Sequence, residues 1–304
     1  MSDKLKVIIA YTAICTIWGS TWLVIKLGLE TLTPLLAAGL RFALAGIILF
    51  GIIQFKKISI PWNENTRWFY FTIALTSFSI PFGLVYWGER QISSGLTSIL
   101  FGMYPLCVAL ISSIMIKTER VTFLKVLGVL LGFGGVVTIF SNDVQFSGNP
   151  DALLGMGAVV MSAAIQAFSA VTIKKYGHEI SPYVVSFVPM SISAVLLMIA
   201  SVSFENYSVV QFTPMAMFSI FFLAIFGTIV TFVSYFWLLK RVEVVLLSLT
   251  AFVTPLIAVL LGVLILNEKI SPELFAGAFL VFAGIGTANA KEIRAFVRSR
   301  IITK

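Results

Sequence analysis

The chain reads ERVTFLKVLGVLLGFGGVVT over residues 119–138 and EKISPELFAGAFLVFAGIGT over residues 268–287. Set one above the other, Glu119, Gly128, Phe133, Gly135 and Thr138 meet Glu268, Gly277, Phe282, Gly284 and Thr287, every pair 149 apart. Earlier in the halves, Phe82, Trp87, Arg90 and Pro105 recur 150 later as Phe232, Trp237, Lys240 and Pro255, and Lys26 and Pro34 recur 148 later as Lys174 and Pro182. Loop insertions produce drifts of this size, so one duplicated unit of about 149 residues accounts for all three sets.

Composition says what each unit contains. Of 304 residues, 59% are hydrophobic and 11% charged, with a mean hydropathy of +1.02, against roughly 45–50% apolar content in soluble domains. This is an integral membrane protein. A span needs roughly 20 apolar residues, and ten such runs stand between charges, prolines or polar turns: 7–26, 34–53, 67–87, 93–116, 121–140, 152–173, 183–203, 215–237, 244–266 and 272–290. The expected fold is all-α, with ten transmembrane helices. The first run follows Lys4 and Lys6 but precedes no small-residue cleavage site, so it reads as a retained helix.

Basic residues set the orientation. With Arg41 set aside as intramembrane, seventeen Lys and Arg fall on one side, including Lys56, Lys57, Lys174, Lys175, Lys240, Arg241 and the tail bases, against Lys26, Arg90 and Lys269 on the other. Both termini are therefore expected in the cytoplasm of a multi-pass protein of the inner (cytoplasmic) membrane. The organisation expected is a first unit over 1–141, a second over 152–290, and a basic cytoplasmic tail over 291–304. Five spans per unit is an odd number, so the second unit starts on the opposite side of the membrane and the halves are inverted. Secondary transporters reuse this architecture around a site at the repeat interface.

The net charge of +8 is concentrated at the ends of apolar runs and in the tail, not on a water-facing patch of the kind nucleic acid requires. One His, two Cys and no G-x-x-x-x-G-K-[ST] string remove most metal sites, disulfide scaffolds and ATP-driven machines. His178 stands alone in a loop and no carboxylates pair at depth, which disfavours an intramembrane enzyme. Short loops and even hydropathy offer no filter for a channel. No cofactor or metal is expected. The partners expected are a small-molecule solute and the lipid bilayer, with no nucleic acid, the chain working as a monomer or homodimer.

Trp18-Gly19-Ser20-Thr21-Trp22 followed by Lys26, the Arg41-Phe42 pair after Pro34, and Pro255, Asn267-Glu268, Gly277 and Gly284 resemble both EamA repeats of the drug/metabolite transporter superfamily. The resemblance covers nearly the whole chain. It implies a ten-helix transporter whose first, third, fourth, sixth, eighth and ninth helices surround a central cavity. Members carry amino acids, other metabolites or toxic compounds, so the resemblance leaves the cargo open. An amino-acid or metabolite exporter is expected first, and efflux of lipophilic toxicants or a passive channel second.

Polar groups at mid-depth point into the bundle. In the third run, Thr72, Thr76, Ser79, Gly83, Tyr86 and Trp87 fall on one helical face, with Pro81 permitting a kink. Tyr86 and Trp87 read equally as a gate or as an interface belt. Trp18 lies about 16 Å into its helix at 1.5 Å per residue, and Gln166 occupies the corresponding place 148 later. Both are expected on the cavity, the alternative being packing around an inward amide. Ser20, Thr21, Tyr104, Ser169, Tyr235 and Trp237 complete the expected transport path. Arg41 either grips a substrate carboxylate or anchors helices structurally. Pro105 and Pro255 sit at equivalent places as hinges or simple kinks. The glycines of the fifth and tenth runs read as close-packing surfaces. No acid lies at mid-membrane; Glu89 is the nearest candidate for proton coupling, and uniport down a gradient is also compatible.

Overall fold

The computed structural model describes residues 3–116, 150–242 and, with interruptions, 122–138 and 244–290. The expectations attached to Glu119, Glu268 and the 291–304 tail lie outside the described residues. Every regular element described is helical. Seven helices are long and apolar enough to cross a membrane: Leu5–Gly28, Pro34–Phe55, Glu64–Gln91, Ser94–Met115, Pro150–Tyr176, Pro182–Phe204 and Pro214–Leu239, with Val253–Leu266 and Phe275–Gly284 shorter apolar stretches.

In chain order these are α1 (Asp3–Gly28), α2 (Pro34–Phe55), α3 (Glu64–Ile73), α4 (Ile80–Gln91), α5 (Ser94–Phe101), α6 (Tyr104–Met115), α7 (Pro150–Tyr176), α8 (Pro182–Phe204), α9 (Pro214–Ala224), α10 (Thr231–Leu239), α11 (Val244–Ser248), α12 (Thr250–Leu266) and α13 (Pro272–Ala288). Starts follow local chemistry. Pro34, Pro182 and Pro214 open their helices, where the missing N–H costs nothing. Asn63 and Thr66 form a reciprocal capping box, which starts α3 ahead of the apolar run expected from 67.

Two spans contain a π turn, Ala74–Ser79 between α3 and α4 and Ile225–Val230 between α9 and α10. The wider i→i+5 turn leaves carbonyls open, and side chains from other helices reach both segments. Ser193 Oγ of α8 donates to Ala74 O at 2.8 Å, and Arg41 Nη2 of α2 donates to Gly227 O at 2.7 Å. Neither turn is visible in the hydropathy of the third and eighth runs, and the first one changes which face of its span reaches the centre.

The halves also repeat a clamp. Lys26 Nζ at the end of α1 donates to Glu89 O and Ile92 O, each at 2.7 Å. Lys174 Nζ at the end of α7 donates to Leu239 O at 2.6 Å and Val242 O at 2.9 Å. An ammonium on helix C-terminal carbonyls is favoured by the partial negative charge there, and the four acceptors pair at an offset of 150. Glycines join the halves in the same reciprocal way. A Cβ on Gly135 would lie 2.5 Å from Gly277 O, and one on Gly284 would lie 2.5 Å from Gly128 O. Only glycine allows backbones this close, the arrangement by which membrane helices gain van der Waals contact without help from water.

Candidate functional site

At the centre the helices surround a cavity of about 90 Å³. Its walls follow helical spacing. Trp18, Thr21, Trp22 and Ile25 form one face of α1; Gln166, Ala170 and Ile173 one face of α7; Phe232, Tyr235 and Phe236 one face of α10. Phe101 and Tyr104 flank the break between α5 and α6, and Thr250, Ala251 and Thr254 come from the start of α12. Arg41, Ser77, Phe82 and Val85 close the remaining side. Both halves contribute.

The lining is aromatic and held by its own contacts. The Trp18 ring meets Phe232 and Tyr235 at 5.4 Å centroid distances, and Trp22 meets Phe101 at the same distance. Such pairs are each worth about 0.5–1.5 kcal/mol beyond their buried area. Tyr104 and Tyr235 join across the cavity through a 2.6 Å hydrogen bond between their hydroxyls. The indole N–H of Trp22 is buried with no hydrogen-bond partner among the described residues. A lone buried donor costs about 1–3 kcal/mol, which an acceptor entering the cavity would recover.

Arg41 is 2% exposed. Its Nε donates to Thr228 Oγ1 at 2.6 Å, Nη1 to Tyr86 OH at 3.2 Å and Nη2 to Gly227 O at 2.7 Å, and its guanidinium carbon lies 4.9 Å from the Phe82 ring centroid. A guanidinium has five N–H groups, so three bonds fix its plane and leave donors for an acceptor inside. Among the described residues, no Asp or Glu lines the cavity.

The family model for EamA-like transporters matches residues 5–141 and again 153–289. This chain belongs to the EamA-like transporter family. It is 29% identical over 282 residues to the uncharacterized transporter YoaV of Bacillus subtilis, covering 92% of this chain and 95% of the relative. It is 27% identical over 268 residues to protein PagO of Salmonella typhimurium, covering 88% of each. With the uncharacterized inner membrane transporter YedA of Escherichia coli K12 it shares 30% over 283 residues, covering 90% of this chain and 88% of YedA. A solved crystal structure superposes with a TM-score of 0.69 at 20% identity, over 95% of this chain and 98% of the other, a likeness of fold.

Within this EamA fold, six residues expected on the path from sequence line the cavity: Trp18, Thr21, Arg41, Tyr104, Gln166 and Tyr235. Others stand outside its lining. Ser20 Oγ bonds to Ile17 O within its own helix. Thr76 Oγ1 bonds to Thr72 O, while its neighbour Ser77, within the π turn, lines the cavity five residues before Phe82, the step of an i→i+5 turn. Ser79 and Ser169 are buried with hydroxyls that find no partner among the described residues. Tyr86 stands behind the lining on Arg41. Trp87 is on the outer surface, 37% exposed. Trp237 lies under Arg241, whose guanidinium carbon is 4.0 Å from its ring centroid.

Pro81 opens α4 directly after the π turn. Pro105 follows the break at Gly102–Met103, whereas Pro255 sits inside continuous α12. Glu89 is fully buried on α4 and is not part of the lining. The residues that sequence reasoning missed carried a usable signal: Trp22 and Ile25 stand four and seven residues beyond Trp18, and Phe232 and Phe236, four apart, bracket Tyr235 on one helical face.

Proposed function

We propose that this chain is a secondary transporter that exports small metabolites, amino acids foremost, across the cytoplasmic membrane by alternating access. In this reading ten spans form two inverted five-helix units, 1–141 and 152–290, with both termini in the cytoplasm. The central cavity carries the reading, because both halves wall it and rocking of one half against the other exposes it to each side in turn. The paired lysine clamps and reciprocal glycines support the duplication. The excess of Lys and Arg on one side supports the orientation.

A volume of about 90 Å³ is below the roughly 300–1,000 Å³ of drug-sized pockets, which favours a small solute over a bulky lipophilic toxicant. Arg41, the Trp22 N–H and a lining without acids favour solutes with acceptor groups, zwitterions among them, over cations. The binding role we assign to Trp18, Thr21, Tyr104, Gln166 and Tyr235 is to enclose the apolar part and orient the polar end. Glu89, fully buried on α4, is the carboxyl we assign to a proton-coupled cycle, since ionisable residues within a span mark ion and proton pathways.

Proteoliposomes tested against a panel of radiolabelled amino acids, organic cations and lipophilic dyes decide the class. Counterflow of amino acids, accelerated by solute on the far side, is the expected result. Uptake of cations alone overturns the substrate reading, and flux without trans-acceleration makes the protein a channel. A Glu89→Gln protein that keeps pH-driven accumulation removes Glu89 from coupling.

A further inference from the structure

A second cavity, of about 100 Å³, adjoins the first. The two share Ile173 and Phe236 as a common wall. Beyond that wall the lining changes character: Lys174, Lys240 and His178 appear beside Val185, with no Asp or Glu among the described lining residues. Lys240 Nζ spends one N–H on Ile180 O at 2.6 Å, and an ammonium has three. Lys174 Nζ is fixed by its clamp on Leu239 O and Val242 O. These bonds orient the ammonium groups but do not cancel their charge.

The backbone adds to the field. Pro182 lines the cavity and opens the long helix α8, whose Ser181 N-cap supplies no side-chain cap, so the positive end of the helix is turned to this region. Burial first, and then the neighbouring Arg241, lower the pKa of Lys240. Among the described residues, charged groups outside the lining include Lys175, Arg241, Lys56 over the Tyr183 ring at 5.6 Å, and Glu179, 3.7 Å from His178 at the exposed mouth.

We propose that this cavity is an anion-binding antechamber on the transport path, which takes the carboxylate of a small solute at Lys240 before the solute passes Ile173 and Phe236 to the central cavity. The proposal rests on the central cavity's being the transport site. It adds a second cationic station, separated from Arg41 by an apolar wall, so that a carboxylate moves from one positive group to the next. A cleft lined by positive charge raises the local concentration of anions, and carboxylates gain over amides or cations of the same size.

The test labels His178→Cys, an exposed lining residue at the mouth, in the full-length chain in vesicles, with the nearly volume-conserving Val185→Cys as a second, deeper reporter. With each rate divided by that reagent's rate on a free thiol in solution, an anionic methanethiosulfonate reagent is expected to react about tenfold faster than its cationic analogue. Lys240→Gln should collapse that ratio, Lys240→Arg should keep it, and Lys175→Gln, outside the cavity, should leave it nearly unchanged. Equal normalised rates for the two reagents in the Cys reporter with Lys240 intact, or equal loss from Lys175→Gln and Lys240→Gln, overturn the proposal. Labelling requires no transport, so a chain that fails every counterflow assay still puts the antechamber to the test. If counterflow succeeds, Lys240→Gln should raise KM for an amino acid several-fold more than for its carboxamide, and an equal rise for both also overturns it.

Discussion

The two ends of the central cavity use corresponding residues and different chemistry. One end has Ile173 and Phe236; the other has Ile25, 148 earlier, with Tyr86, 150 before Phe236, standing behind the lining. A single oxygen atom separates Phe236 from Tyr86, and that oxygen receives Arg41 Nη1 at 3.2 Å. Through the same guanidinium the Tyr86 end is tied to Thr228 and Gly227 of the opposite half. Among the described residues the Phe236 end has no such tie, since Pro189 stands where a repeat of Arg41 would be, and beyond it lies open volume.

The ends differ further out as well. Glu205 accepts from Leu35 N, Leu36 N and Thr33 Oγ1 at the start of α2, at 2.7, 2.9 and 2.8 Å. Near the start of α8, which corresponds to α2 in the repeat, Lys56 faces the Tyr183 ring at 5.6 Å. A duplicated scaffold supplies the shape twice, and a few polar substitutions decide which end is latched. This conformation is latched at the Lys26 end, which we assign to the outside, and closed by apolar contact at the Lys174 end.

The largest effect is expected from Arg41→Ala. It strands Tyr86 OH and Thr228 Oγ1 and removes a donor from Gly227 O, all buried, at about 1–3 kcal/mol each. Thermal unfolding in detergent should show a loss of about 3 kcal/mol or more, with Arg41→Lys intermediate because a point ammonium does not reproduce the planar fork. An Arg41→Ala protein as stable as the parent, yet impaired only for carboxylate solutes, would remove the latch and leave Arg41 as a binding group alone.

Where the ends are alike, effects should be alike. Gly135→Ala and Gly284→Ala each drive a methyl to within 2.5 Å of a carbonyl oxygen in the facing helix. Overpacking of this kind costs about 1–3 kcal/mol. The two substitutions should destabilise by similar amounts and, if made together, by less than their sum, since the first already separates the same helix pair. Markedly unequal losses on thermal unfolding would mean that the reciprocal contact is not energetically symmetric.

This equivalence is legible in the sequence, because Gly128, Gly135, Gly277 and Gly284 repeat in register and small residues at membrane interfaces have one common use. The membrane class and the long apolar helices are also legible, since burial in lipid imposes length and composition directly. The π turns are not. Their carbonyls are met by Ser193 on Ala74 and Arg41 on Gly227, 119 and 186 residues apart, and no local hydropathy pattern encodes a contact with so distant a side chain. That is why Thr76 reads as a cavity residue while Ser77 lines the cavity. Trp22 escapes for a different reason: one tryptophan at mid-depth draws attention from its neighbour a turn later, although the two share a face.

The smallest change in the comparison is one hydroxyl. Tyr86→Phe makes the latched end chemically like its counterpart and removes a single 3.2 Å hydrogen bond, worth about 1 kcal/mol. The converse, Phe236→Tyr, adds a hydroxyl where Pro189 supplies no arginine, so it gains no matching bond. Stability alone hardly separates these two variants. Their conformational balance should, because about 1 kcal/mol is a factor of roughly five in a two-state equilibrium. With Ile25→Cys as a reporter just inside the Tyr86 end, Tyr86→Phe is expected to raise labelling by an impermeant thiol reagent added outside about fivefold, while Phe236→Tyr leaves it near the parent rate. Equal rates in all three would show that the Tyr86 hydroxyl holds Arg41 in place without closing that end, and the latch would then reduce to Glu205 on the start of α2.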